Sequence, residues 1–533
     1  MNENGKAGLF SGGPFLKVRV NTPALFILGI LFGGAVLLFS LWRINSSIWH
    51  DEAMSIYFAN RDFRGLISEL SRDNNFPLYF VMLWGWIKVF GTGEVAVRVL
   101  SLIFYWFSIA AVYFLGKETY GKKGGLIASF LYGICPFTIP HIQNARSYSL
   151  LLLLVALSLL FFTKAFLKEK SRRNLFLYIA SSTLGMCTHP YFMFVFFAQV
   201  VFCLFFCRTQ KKTYLAAFLY SVIIFAVLWG EVFVQQVNNG ASSWITQDIG
   251  RPTVYQLVYF LCHICLGQKF NWSFLKTLLD ASAIYGLFFL VILSGVRKNN
   301  GISLWEFIGN KYSRLFITII VFSLLVPFLV SQFKPIFLER YGVIVVVPLA
   351  VLLAGILVRC GDKLFLIVLC YGLLGLSVYD FLDTNIVSSP SLDKFTAKYL
   401  LSRMKDNDIL IFTSLSRPAV DYYLKRMAPQ RNFVKISYPV EILRHPGWRD
   451  IKGMMAHRDS LKQEAEDLAQ RIKVFLEKKQ ETKIWVLYGK DLTVGSILRE
   501  ELDKKFLFKE IVFFPPHWKL FYEAVLVYQN KED

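Results

Sequence analysis

The sequence predicts a polytopic α-helical membrane protein with about eleven transmembrane helices, further juxtamembrane helices on the outer face, and a soluble C-terminal α/β domain. Three observations carry that prediction. The 533-residue chain is 55% hydrophobic and 17% aromatic with a mean hydropathy of +0.47, too apolar for an ordinary soluble protein. Apolar runs of spanning length recur from residue 23 to residue 380, and the polar segments between them carry clustered Lys and Arg. After about residue 385 charged residues become dense and the apolar runs shorten to strand length. The domains are therefore drawn as 1–384 and 385–533.

Residues 1–22 are polar and basic (Lys6, Lys17, Arg19), and the apolar run after them lacks a small-residue cleavage site. The first span is expected to stay as an anchor. Spanning runs lie near 23–41, 95–116, 124–140, 149–167, 174–188, 190–207, 213–234, 273–295, 314–332, 343–358 and 363–380. The basic clusters are the N-terminus, Lys117/Lys122/Lys123, Lys168/Lys170/Arg172/Arg173, Arg208/Lys211/Lys212, Arg297/Lys298/Lys311/Arg314 and Arg359/Lys363. They share one side if FPLYFVMLWGWIKVF, residues 76–90 and short for a span, does not cross. Lys and Arg favour the cytoplasmic side, so segments 42–94, 141–148, 235–272 and 333–342 and the C-terminal domain face outward from a cell (inner or plasma) membrane. Topology thus accounts for the net charge of +21. No nucleic-acid motif accompanies it, so the bilayer is the expected partner and nucleic acid is not.

The chemistry is expected in those outer segments. LWRINSSIWHDEAMSIYFANRDFRGLISELSRDNNFPLYF, residues 41–80, carries the acidic pair Asp51 and Glu52. Asn45, Ser46 and Ser47 suggest an N-cap, followed by a short amphipathic helix at the membrane surface. Asp51 is the candidate base, and Glu52, about 100° further round the helix, is supportive. The alternative is that both acids only favour the positive end of the helix dipole, an effect of about 0.3–1 kcal/mol. HIQNARSYS contributes Arg146 and FLERYG contributes Arg340 and Tyr341. An arginine can hold phosphate oxygens in a bidentate fork, which makes both cations donor-phosphate candidates; the alternative is headgroup snorkelling. His189, in CTHPYF, sits where Pro190 forces a turn and is either a hydrogen-bonded turn residue or a ligand.

In the C-terminal domain, 408–414, 482–489 and 523–530 read as strands and 416–426 and 459–480 as helices. It shows no glycine-rich phosphate loop or metal cluster. The eight cysteines lie in or beside apolar runs and read as small core residues, Cys262 and Cys265 included.

The ordered series from the Asp-Glu segment through FPLYF, ARSYSLLLL and HPYF to ERYGVIVVVPLAVLLA, over residues 20–385, resembles the GT-C superfamily of membrane glycosyltransferases. It is most similar to the bacterial branch related to protein O-mannosyltransferases and lipid A aminoarabinose transferases. The resemblance implies transfer of a sugar from a polyprenyl-phosphate-linked donor to an extracytoplasmic lipid, glycan or protein acceptor, with inversion if the acceptor attacks directly. It makes Asp51 the base, with Glu52 beside it. Arg146, Arg340 and Tyr341 fall at the donor phosphate, and Tyr79 of FPLYF and His189 of HPYF in the substrate pocket. Some relatives carry a further acid in the second outer loop, where this chain has Gln143, Asn144 and Arg146; that leaves a divalent metal open and no cofactor certain. Two other readings are a transporter or flippase of lipid-linked sugars, which would show internal repeats and mid-membrane polar residues, and a noncatalytic sensor.

Overall fold

The structure, a computed structural model, describes residues 22–42, 44–168, 171–207, 211–238, 250–267, 274–298, 304–360, 363–387, 392–440, 455–477, 481–488, 492–514 and 523–531. The basic stretch 1–21, Lys170 and Arg208 lie outside these residues.

The described residues between 22 and 387 are mainly helical: α1 (Thr22–Leu41), α2 (His50–Ala59), α3 (Phe63–Arg72), α4 (Pro77–Phe90), α5 (Glu94–Gly133), α6 (Ile139–Ile142), α7 (Tyr148–Phe162), α8 (Arg172–Met186), α9 (Phe192–Phe206), α10 (Lys211–Phe225) and α11 (Glu231–Asn238) come first. Helices Val254–Leu266, Phe274–Lys298, Lys311–Val330, Val346–Cys360 and Lys363–Val387 follow. By length and composition, Glu94–Gly133, Tyr148–Leu167, Lys211–Asn238, Lys311–Val330 and Glu339–Arg359 can cross a membrane. Ile27–Leu41, Pro77–Phe90, Phe192–Phe206, Val254–Ile264 and Leu369–Tyr379 are shorter apolar helical stretches.

α5 is a hairpin rather than one rod. Tyr120 and Gly121 leave helical geometry, and Gly121 takes φ 78°, a conformation open to glycine. Beyond this turn the halves touch closely: a Cβ on Gly116 would lie 2.8 Å from the Gly124 carbonyl oxygen. Tyr105 donates to the Gly133 carbonyl at 2.7 Å, and the Ser108 and Tyr132 hydroxyls are 2.6 Å apart. The second half stops at Gly133, short of the expected 140, because Pro136 disfavours helix just before it.

The bundle has two chemically different ends. At one, Lys164 and Lys168 pair with Glu118 at 3.3 and 2.6 Å, and Tyr120 meets Ser313 at 3.1 Å. There the described parts of several basic clusters meet. At the other end the turn before α2, the α6–α7 segment, the His189 turn and the chain around Arg340 converge.

α2 differs from the amphipathic surface helix the sequence suggests. Seven of its ten residues, Glu52, Ala53, Met54, Ser55, Ile56, Phe58 and Ala59, are buried. Helix Arg417–Met427 covers one side of it and α4 another, so it has little face left for a membrane surface. It starts at His50 with Trp49 at the N-cap, and the Glu52 carboxylate, not Ser46 or Ser47, accepts from the Trp49 amide at 3.4 Å.

Residues 392–531 contain a five-stranded sheet in the order β2-β1-β3-β5-β4: β1 (Ile409–Thr413), β2 (Val434–Tyr438), β3 (Ile484–Tyr488), β4 (Phe506–Phe514) and β5 (Glu523–Asn530). β1 pairs parallel with β2 and β3, and β5 pairs antiparallel with β3 and β4. Helices Arg417–Met427 and Arg458–Glu477 occupy the expected helical stretches. One face of the sheet packs with Leu468, Ile472 and Leu498. The other contributes Leu410, Phe412 and Trp485 to the same core that contains Ile56 and Phe58 of α2.

Candidate active site

Asp51 lies in the first turn of α2, where a helix presents its positive end. Its Oδ2 is 3.1 Å from Arg340 Nη1, with the two side chains 21% and 25% exposed. Arg340 comes from the tight 3-10 helix Glu339–Val345 that leads into Val346–Cys360. Gly342 lets Phe260 press against that turn; a Cβ there would meet the phenyl ring at 2.4 Å.

Arg146 is delivered by the segment between α6 and α7. Gln143 ties this segment to the end of α1 by donating to the Phe39 carbonyl and, at 3.0 Å, to the Trp42 carbonyl. The Arg146 Nε is buried with no hydrogen-bond partner. Burial opposes its charge, but attraction from Asp51 and the neighbouring tyrosines outweighs that cost despite repulsion from Arg340, leaving its pKa raised. One carboxylate therefore faces two guanidinium groups.

An aromatic wall stands beside this cluster. The Arg340 guanidinium lies 5.5 Å from the Tyr341 ring centre, Tyr341 is 4.7 Å from His189 and 5.0 Å from Tyr191, and His141 is 5.0 Å from Tyr148. His189 accepts from the Tyr191 amide at 3.2 Å, so it is a hydrogen-bonded turn residue and also part of the wall. Burial, then Arg146 and Arg340, push its pKa down to about 3. Burial and Arg340 push His141 down to about 3 as well. Both imidazoles are thus neutral at pH 7. His141 Nε2 and the Tyr148 hydroxyl are buried with no hydrogen-bond partner.

Glu52 turns away from Asp51 into a buried ion pair. Arg98 Nε and Nη2 donate to its two oxygens at 2.8 and 2.6 Å, a bidentate fork. The Ala145 amide, next to Arg146, donates to the same carboxylate at 3.0 Å. Arg98 also donates to the carbonyls of Ile44, Ser46 and Ser47 at 2.8, 2.7 and 3.1 Å. Glu52 and Arg98 therefore form a joint between the turn that presents Asp51 and the segment that presents Arg146.

The structure brings Asp51, Arg146, Arg340, Tyr341 and His189 together. It gives Glu52 a connecting position. Tyr79, fully buried, shares a 2.9 Å hydrogen bond with Ser101 and packs behind Phe80. Sequence reasoning missed Arg98, His141, Tyr148 and Tyr191. Among the described residues no three His, Cys, Asp or Glu side chains are grouped to hold a metal ion. A single carboxylate beside two arginines does not fit a resident divalent cation.

The dolichyl-phosphate-mannose-protein mannosyltransferase family profile matches residues 74–229, from just before α4 to just past the end of α10. Comparison with curated proteins finds no match. Among solved structures, ArnT from Cupriavidus metallidurans bound to undecaprenyl phosphate is similar with a TM-score of 0.58 and 11% identity, over 95% of this chain and 98% of that one. An Archaeoglobus fulgidus oligosaccharyltransferase complexed with zinc and sulfate gives a TM-score of 0.49 and 12% identity over 95% and 73%. The ArnT likeness shows a common fold across nearly the whole chain. The profile match lies inside that fold and covers less than half of the chain.

Proposed function

We propose that this protein transfers a sugar from a polyprenyl-phosphate-linked donor to a hydroxyl or amine acceptor outside the cytoplasm, with inversion at the anomeric carbon. The observation that carries the reading is the Asp51 carboxylate in contact with Arg340 and within the field of Arg146. Two cations against one anion leave a positive excess that matches the single charge of a phosphodiester donor. The donors named for the matched family and the lipid phosphate bound to the similar ArnT support this class.

Donor phosphate binding would compete with Asp51 for the Arg340 guanidinium, leaving a carboxylate oxygen open to a proton. Asp51 then accepts the proton of the acceptor, whose oxygen or nitrogen bonds to the anomeric carbon from the face opposite the phosphate. The carbon–oxygen bond to phosphate breaks, its electron pair stays on the phosphate oxygen, and Arg146 and Arg340 stabilise the charge on the departing polyprenyl phosphate. Tyr341, His189 and His141 offer the sugar a neutral aromatic wall. Glu52 supports this geometry through Arg98 and Ala145.

The accompanying topology has about eleven crossings, with the N-terminus in the cytoplasm and Asp51, Arg146, Arg340 and the α/β unit outside. The test is turnover by the purified full chain in liposomes with polyprenyl-phosphate hexose and pentose donors. The reading expects release of polyprenyl phosphate and an inverted glycoside; movement of the lipid-linked sugar across the bilayer without bond cleavage would favour the transporter instead.

A further inference from the structure

Two helices of the C-terminal unit, Asp393–Arg403 and Arg417–Met427, reach the end of the bundle where Asp51 lies. The amide of Ile48, a fully buried residue just ahead of Asp51, donates to the Tyr423 hydroxyl at 2.6 Å. The Lys394 amide donates to Ser47 Oγ at 3.2 Å. The Tyr422 hydroxyl donates to the Thr92 carbonyl at 2.8 Å, and Lys394 Nζ pairs with Glu94 at 2.8 Å. Glu94 opens α5, one turn ahead of Arg98. The unit thus grips both parts of the joint from outside: the turn ending at Ile48 and the start of the helix that supplies Arg98.

Arg98 accounts for the turn's carbonyls but has nothing to offer the Ile48 amide, because a guanidinium only donates. A buried amide needs an acceptor, and here that acceptor comes from another folding unit. We propose that the α/β unit is a positioning clamp for the Asp51 turn, with Tyr423 as its positioning residue. The proposal rests on the catalytic role given to Asp51. It predicts that the outer unit sets the angle at which α2 leaves the turn, and with it the reach of the Asp51 carboxylate.

The test compares full-length wild type with Tyr423→Phe, which keeps the ring and removes the acceptor. Hydrogen exchange needs no substrate: amides of residues 44–52 should exchange about tenfold faster in the variant while β1 and β3 stay protected. With a polyprenyl-phosphate hexose or pentose that wild type turns over, kcat should fall about tenfold with the donor KM within about twofold. Tyr528→Phe, which removes a 2.9 Å bond to Asp503 inside the α/β unit, should leave both readouts at wild-type values and so separates positioning from general loosening. If Tyr423→Phe does not fold, Tyr422→Phe reads the same clamp at Thr92, through exchange over residues 91–98 and through kcat. Folded variants with unchanged exchange, or with unchanged kcat, would overturn the clamp. Faster exchange over 44–52 in a protein whose wild type turns over no lipid-linked sugar would tell against the transferase reading and leave the clamp standing.

Discussion

Glu52→Gln removes a charge from the most completely buried ion pair among the described residues of the helical bundle. The two carboxylate oxygens accept from Arg98 Nε and the Ala145 amide on one side, and from Arg98 Nη2 and the Trp49 amide on the other. A glutamine amide can satisfy only one of those sides and must aim its NH2 group at donors on the other. Glu52 is fully buried and the Arg98 side chain is 5% exposed, so water cannot take over the orphaned charge. Breaking such a pair by removing one partner costs about 3–5 kcal/mol. In detergent-solubilised protein this should appear as a thermal midpoint lower by a few degrees. Because the joint also holds Ala145, donor turnover should fall along with stability. A thermal midpoint and a turnover both matching wild type would refute the idea that Glu52 joins the two segments.

Arg146→Ala and Arg340→Ala should each weaken donor use by about ten- to 150-fold, the worth of a charged hydrogen bond; lysine should rescue either poorly, and normal donor kinetics in both would favour snorkelling. The histidines set an acid-side dependence. The folded pKa of His189 is depressed from 6.5 to about 3, so the unfolded chain binds the proton first as pH falls through 6.5. Its contribution to stability is therefore present above pH 6.5 and lost progressively toward pH 3. His189→Asn, which can still accept from the Tyr191 amide, should lose less thermal stability than wild type between pH 7 and about 4.5; equal losses would contradict the assignment. A reporter fused after Asp383 should be active only outside the cytoplasm and one near Arg172 only inside, and the reverse pattern would overturn the topology.

The sequence made the site's charged partners visible because each broke a local pattern: Asp51 and Glu52 in a segment between apolar runs, Arg146 and Arg340 at the ends of apolar runs. It could not show which acid faced which cation. Adjacent residues on a helix point in different directions, and only the fold shows that Glu52 meets Arg98 while Asp51 meets Arg340. Arg98 carried a usable signal: a charge inside an apolar run requires a buried partner. His141 and Tyr148 gave none, since a single histidine or tyrosine beside a span is ordinary. α2 reads as a surface helix from sequence alone because its cover, helix Arg417–Met427, lies more than three hundred residues away in the chain. In the α/β unit β1, β3 and β5 read as apolar runs. β2 is short and β4 carries Lys509 and Glu510 at its centre, so neither stood out.

The most direct test of the central claim is the turnover of Asp51→Asn with a lipid-linked sugar that wild type uses. Asparagine keeps the size of the side chain and can still accept a hydrogen bond from Arg340, but it cannot take the acceptor's proton. Transfer should fall about 10²–10⁴-fold with donor binding retained. Near-normal transfer by the purified variant would contradict the role of Asp51 as the general base.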